Sequence, residues 1–172
     1  MRGNMDFWEI YEAFFSRIHA YVRCRAASDA EAEDITSSVF QKALAKQDQF
    51  DPLKGNIPQW LFGIARNEVN YHFRVQALRR FLPLDLFENS LPSHDDPVSD
   101  ADREAENNWL MKALEKLDSR ERDLVSLKFF SELNNREIAG LTGISESNVG
   151  TILYRCMARL RKEMTENYHG NR

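Results

Sequence analysis

The sequence predicts an all-α fold, with two small helical domains joined by an acidic flexible linker and a helix-turn-helix in the second. Three observations carry this. Helix formers are plentiful, while only 7 Gly and 5 Pro occur in 172 residues. Apolar residues recur every three or four positions over most of the chain. Three of the prolines, Pro83, Pro92 and Pro97, collect with an acidic run in residues 81–107. The boundaries expected are therefore 1–80, 81–107 and 108–172. No apolar run approaches the length of a membrane span, and residues 1–6 form no signal peptide. A cytoplasmic protein without membrane insertion is the expectation.

Phe7, Ile10, Tyr11, Phe14, Phe15, Ile18, Tyr21 and Val22 predict an amphipathic helix over about residues 6–25. Its aromatic stripe is expected in the core rather than around a cofactor. His19, a lone histidine beside it, is not expected to bind metal. Ser28 or Asp29 caps a second helix over about 29–46. Ile35, Val39 and Ala43 form its inner line, with Phe40 and Leu44 beside them. Glu33, Asp34, Ser37, Ser38 and Gln41 lie opposite, either as a solvated face or as a docking face for a partner.

Asp51, Pro52, Gly55 and Pro58 mark a loop. A third helix follows to about Arg80, with Pro58 expected at its first position. Trp60, Leu61, Ile64 and Ala65 point one way. Asn67, Asn70, Tyr71 and Arg74 share another face by their i, i+3, i+4, i+7 spacing, with Arg66, Arg79 and Arg80 nearby. Such a face suits stacking on single-stranded nucleic acid, and is equally an ordinary solvated surface. Residues 81–107 read as the linker. Fully stretched, this segment spans roughly 90 Å, more than the roughly 70 Å of two turns of B-DNA.

Trp109, Leu110, Ala113, Leu114 and Leu117 open the second domain. Asp118 or Ser119 starts a helix carrying Leu124, Val125, Leu127 and Phe129. Asn134, with Glu137 three residues on, forms a capping box for a short helix bearing Ile138, Ala139 and Leu141. Gly143 ends that helix and Ser145 caps the next. Val149, Ile152, Leu153, Cys156 and Leu160 then face inward. Ser147, Asn148, Thr151, Tyr154 and Arg155 remain outside, residue types suited to a DNA groove. A helical hairpin that only packs would share these features. Cys24 and Cys156, far apart and inside apolar patterns, read as buried free thiols.

The net charge of −4 is unusual for a nucleic-acid binder. Residues 1–80 carry a net +1, residues 81–107 a net −7 and residues 108–172 a net +2. The two helical domains are nearly neutral, so tight binding to free DNA is not expected. There is no phosphate loop, metal-ligand cluster or nucleophile–base pair, so neither an enzyme nor a cofactor is expected.

Three strings, in order, resemble the extracytoplasmic-function group of bacterial sigma factors. AEDITSSVFQKA (Ala32–Ala43) is similar to the AED-hydrophobic…VF..A pattern. WLFGIARNEVNYHFR (Trp60–Arg74) is close to WL..IA.N…..R. LDSRERDLVSLKFFSELNNREIAGLTGISESNV (Leu117–Val149) resembles LP…R…L….G.S..EIA..LGI…TV, followed by the basic stretch Arg155–Arg161. The resemblance covers about Phe7 to Lys162.

It implies a transcription initiation factor, a monomer when free, whose partners are core RNA polymerase and promoter DNA. The first domain would dock on the β′ clamp coiled coil through Asp34, Ser37, Ser38 and Gln41, and the β flap would be a further contact. Phe50, Arg66, Asn67, Asn70, Tyr71 and Arg74 would read and hold open the −10 element. Ser147, Asn148, Thr151, Tyr154, Arg155 and Arg159 would contact the −35 element. The acidic linker would follow the RNA-exit path, and an anti-sigma factor would regulate the protein. Ser37 and Ser38 depart from a pattern that often has Gln and an acidic residue. Asp51 replaces a common basic residue, and Gly150 and Ile152 replace positions often basic. An unusual −35 preference, or weak binding there, is therefore expected. The alternative is a sigma-like decoy that binds a regulator and reads no promoter.

Overall fold

The computed structural model describes residues 6–81 and 110–169; of residues 79–81, 164 and 166–169 only the backbone is described. Among these residues every regular element is helical. The helices are α1 (Phe7–Arg23), α2 (Asp29–Lys46), α3 (Ile57–Phe81), α4 (residues 110–115), α5 (Ser119–Phe130), α6 (Asn135–Thr142) and α7 (Glu146–His169), with a 3₁₀ turn at Gln47–Gln49. The chain divides into two compact units, Met1–Asp96 and Pro97–Arg172. The predicted linker lies outside the described residues except for Phe81, whose backbone ends α3. No described helix is long and apolar enough to cross a membrane.

In the first unit α2 packs against both α1 and α3. Its start is set by Ser28, whose Oγ accepts the Glu31 N–H at 3.2 Å. The start of α3 is set by a cap the sequence reading missed. Asn56 Oδ1 accepts the Gln59 N–H at 2.8 Å, and its carbonyl accepts the Trp60 N–H. Ile57 therefore takes the first helical position and Pro58 the second, where a missing N–H still costs no intrahelical bond.

Ile18, Tyr21, Val22, Val39, Leu61, Phe62 and Val69 are fully buried. Each contributes roughly 1.5–3 kcal/mol through its removal from water. The aromatic stripe of α1 is only partly core. Ile10, Ile18, Tyr21 and Val22 face inward, whereas Phe15 is 38% exposed and Phe7, Tyr11 and Phe14 are half-buried. Leu44 of α2, 48% exposed, also turns outward.

Polar groups lock α2 to α3. The buried Glu68 carboxylate accepts from Lys42 Nζ at 2.6 Å and from Ser38 Oγ at 3.1 Å. At the other end of the α2–α3 contact, Glu31 Oε1 meets His72 Nε2 at 2.6 Å and accepts from Gln76 Nε2 at 3.3 Å. Arg25 is buried at the end of α1. It donates to Tyr21 Oη and to Asn70 Oδ1, both at 2.9 Å.

In the second unit α7 packs against α5 and α6. Asp118 and Glu121 form a reciprocal capping box at α5, and Asn134 and Glu137 form another at α6. Arg122 donates to the carbonyls of Leu114, Glu115 and Leu117, satisfying the open end of α4. Between α5 and α6 the chain turns through Glu132 at φ 59, a left-handed conformation that favours glycine. Gly143 takes the same conformation at the end of α6, with φ 73.

Ile138, Leu124, Leu127, Val149 and Cys156 are fully buried, while Ile152 is half-buried. Phe129 is 58% exposed, and only Leu124, Val125 and Leu127 of its group reach the core. Cys24 and Cys156 are both buried free thiols.

Two stability predictions follow from the caps and from Gly150. A Cβ added at Gly150 would lie 3.4 Å from Asn135 Nδ2, an ordinary contact with the end of a side chain. Gly150→Ala is therefore expected to stabilise the second unit by about 0.5–1 kcal/mol, read as greater hydrogen-exchange protection of α6 and α7 amides; a loss of protection would contradict it. Asn134→Ala should lower protection of the same amides by about 1 kcal/mol, and unchanged exchange would show that the cap carries no weight.

Candidate functional site

Three exposed faces bring together the residues singled out in the sequence. The first lies on α2. Asp34, Ser37 and Gln41 are exposed at helical spacing. Ser38 is half-buried and its hydroxyl is committed to Glu68. Ser37 and Gln41 also border an open groove of about 640 Å³ between α1 and α2. Its floor is aromatic: Phe40 packs against Tyr11 at 4.8 Å and Phe15 at 5.9 Å between ring centroids. His19 stacks beside Phe15 at 6.2 Å. Periodicity could not reveal this groove, because a stripe too wide for its partner helix has the same spacing as one fully covered.

The second face lies on α3. Asn67, Tyr71 and Arg74 are exposed along one side. Asn70 is half-buried, its carbonyl oxygen held by Arg25. Arg66 is half-buried and engaged by neighbouring groups. Phe50 packs on Trp60 at 5.4 Å, about two helical turns along α3 from Asn67. Asp51 shapes the loop after Phe50, accepting the Leu53 N–H at 3.0 Å and pairing with Lys54 at 3.6 Å.

Lys42 is a member of this face that sequence reasoning missed. Its ammonium lies 5.6 Å from the centre of the Tyr71 ring while pairing with Glu68, a cation–π distance. The signal was weak: Lys42 stands four residues after Ser38, and only the packing of α2 on α3 makes them share a partner.

The third face lies on α7. Ser147, Asn148, Thr151, Tyr154 and Arg155 are all exposed, Tyr154 by 78%. Val149, Leu153, Cys156 and Leu160 on the opposite side are buried. The Ser145 carbonyl accepts the Val149 N–H at 2.9 Å, which begins the helix. Arg159 sits at the edge of this face and is ion-paired with Glu121 of α5. That bond raises the guanidinium pKa further above its ordinary value. Burial pushes the Cys156 thiol up, with a hydrogen bond from Arg159 pulling the other way. Among the described residues no group of three His, Cys, Asp or Glu side chains is placed to hold a metal.

These faces lie on two units that match known sequence families. Sigma-70 region 2 matches residues 10–79, and sigma-70 region 4 matches residues 107–160. The chain is 27% identical over 167 residues to the ECF RNA polymerase sigma factor RpoE of Cereibacter sphaeroides, covering 95% of this chain and 89% of that protein. It is 27% identical over 168 residues to the RNA polymerase sigma factor YlaC of Bacillus subtilis, covering 97% and 96%.

The fold is also that of solved sigma factors. RpoE in complex with the anti-sigma factor NepR from Bartonella quintana superposes with a TM-score of 0.74 at 24% identity, covering 93% of this chain and 97% of that one. CnrH in complex with the cytosolic domain of CnrY gives 0.67 at 21%, covering 95% and 91%. With regions 2 and 4 in order, and relatives aligned over nearly its whole length, this chain belongs to the extracytoplasmic-function group of sigma-70 factors, which are transcription initiation factors and not enzymes.

Proposed function

We propose that this sigma factor binds core RNA polymerase through its first domain and directs it to promoters through separate contacts at −10 and −35. The domains would run over 1–80 and 108–172, with 81–107 as the connecting linker. The observation that carries this reading is that each matched unit leaves a nucleic-acid-like face uncovered: Asn67, Tyr71 and Arg74 on α3, and Ser147 to Arg155 on α7.

Docking is assigned to the exposed α2 residues Asp34, Ser37 and Gln41, with Ser38 supporting them through Glu68. The partner surface is the β′ clamp coiled coil, and the β flap is assigned to the second domain. On α3, Tyr71 offers a ring for an unstacked base, Asn67 offers an amide, and Arg74 offers a phosphate contact. Phe50 and Arg66 flank this surface. Asn70, bound by Arg25, shapes the surface more than it reads DNA. Arg159, tied to Glu121, is assigned a backbone contact at the edge of the −35 face. Near-neutral domains fit a division of labour in which polymerase supplies much of the affinity and the sigma factor supplies the sequence choice.

Regulation by an anti-sigma factor belongs to the same proposal. The similar RpoE of Bartonella quintana is solved with NepR, and CnrH with the cytosolic domain of CnrY. The open aromatic groove beside the α2 docking residues is a surface that such a regulator could share with polymerase.

The reading is tested by capture of purified core RNA polymerase on the full chain. Wild type is expected to retain the enzyme, and Asp34→Arg to bind it at least about tenfold more weakly, with an unchanged circular dichroism spectrum. Arg155→Ala should bind polymerase as wild type does, yet lower run-off transcription from −35-dependent promoters by about five- to tenfold. Equal loss of polymerase binding in both variants would contradict the division of labour. No retention by folded wild type would favour a decoy that binds only a regulator.

A further inference from the structure

The outward face of α7 is defined by what it lacks. From Glu146 to Tyr154 there is no lysine or arginine, and Arg155 is the first guanidinium. Guanine in the major groove is read best by Arg or Lys on O6 and N7. The first two turns of α7 therefore carry no such reader, and Gly150 adds no side chain on the flank.

Thr151 stands at the centre of the exposed face. Its hydroxyl donates to the Ser147 carbonyl at 2.9 Å. That donor is spent inside the helix, so Thr151 offers a partner its methyl and the acceptor capacity of its hydroxyl, but no donor. Asn148, one turn earlier, is exposed, and its side chain bonds nothing among the described residues. Its amide can donate to adenine N7 and accept from adenine N6 at once. Tyr154, on the other side of Thr151, adds an exposed ring. Asn148 and Thr151 lie about 4.5 Å apart along the helix axis, close to the roughly 3.4 Å spacing of one base step.

We propose that α7 reads the upstream promoter element as adjacent A·T pairs, with Asn148 on an adenine and the Thr151 methyl against the methyl of a neighbouring thymine. These two are the specificity-determining residues, while Arg155 holds a phosphate. The inference rests on the assignment of α7 to the −35 element made above, and places that helix in the major groove.

The test uses holoenzyme assembled from core RNA polymerase and the full chain, with run-off transcription selected from a promoter library randomised over the upstream element. Two neighbouring A·T pairs should be enriched, the adenine position preferred over G·C by at least about fivefold and the thymine position by about three- to fourfold. Asn148→Ala should flatten the preference at the adenine alone. Thr151→Ser keeps the hydroxyl and should flatten it at the thymine alone. Replacing that thymine with deoxyuridine should lower wild-type initiation about three- to fourfold, the worth of one buried methyl, and leave Thr151→Ser unaffected.

Enrichment of G·C where Asn148→Ala acts, or an unchanged preference in both variants, overturns the proposal while leaving α7 in the groove. Absence of any upstream preference, together with wild-type initiation by Arg155→Ala, would instead remove α7 from the groove and overturn the underlying assignment as well.

Discussion

Burying a carboxylate costs several kcal/mol unless donors accompany it, and the first unit is arranged around that requirement at Glu68. The residue sits on α3 and both of its observed donors, Ser38 and Lys42, come from α2. A shift of one helix along the other would strand the charge, so the pair defines the register of α2 on α3. The same contact joins two of the exposed faces. Ser38 belongs to the residues proposed for docking, and Lys42 lies over the ring of Tyr71. The Glu31–His72 and Arg25–Asn70 contacts repeat the principle toward the end of α3. Asn70 is consequently held in place while Asn67, Tyr71 and Arg74 stay open.

The second unit is held differently. Apart from α7 its helices are short, and short helices gain little from propensity alone. Two capping boxes and the Arg122 clamp satisfy helix ends that would otherwise be left open. The turn at Glu132 is the costly point. In the family pattern G.S..EIA the glycine falls at this position, and the chain keeps the left-handed backbone although the residue is Glu. The capped α6 and the buried Leu133 beside the turn hold that conformation in place. With its core side committed to α5 and α6, α7 presents the opposite side as a fixed surface.

The open groove on α1 and α2 shows where amphipathic patterning stops being informative. Phe7, Tyr11 and Phe15 belong to the same aromatic stripe as the residues that fill the core, yet they line an accessible surface over the buried ring of Phe40. The groove adjoins Ser37 and Gln41, so aromatic and polar contacts are available to one docking partner together. A large apolar surface beside polar residues is the usual composition of an interface.

Helix positions, caps and the two-unit plan were legible because they depend on local rules. Asn134 with Glu137, Gly143, and the apolar spacing of α2 and α7 each express a short-range preference that needs no partner. Pro58 was misplaced by one position because Asn56, an equally local cap, was overlooked. The outward residues of α7 were also legible, since one buried stripe dictates the opposite face of the same helix. Tertiary structure alone decided which apolar side chains of α1 are covered, that Glu68 recruits Ser38 and Lys42, that Arg25 holds Asn70, and that Arg159 is drawn to Glu121. These outcomes depend on distances between helices far apart in sequence. Periodicity states which side of a helix is apolar; only the width and angle of the packed neighbour determine how much of that side is buried and which charges meet across it.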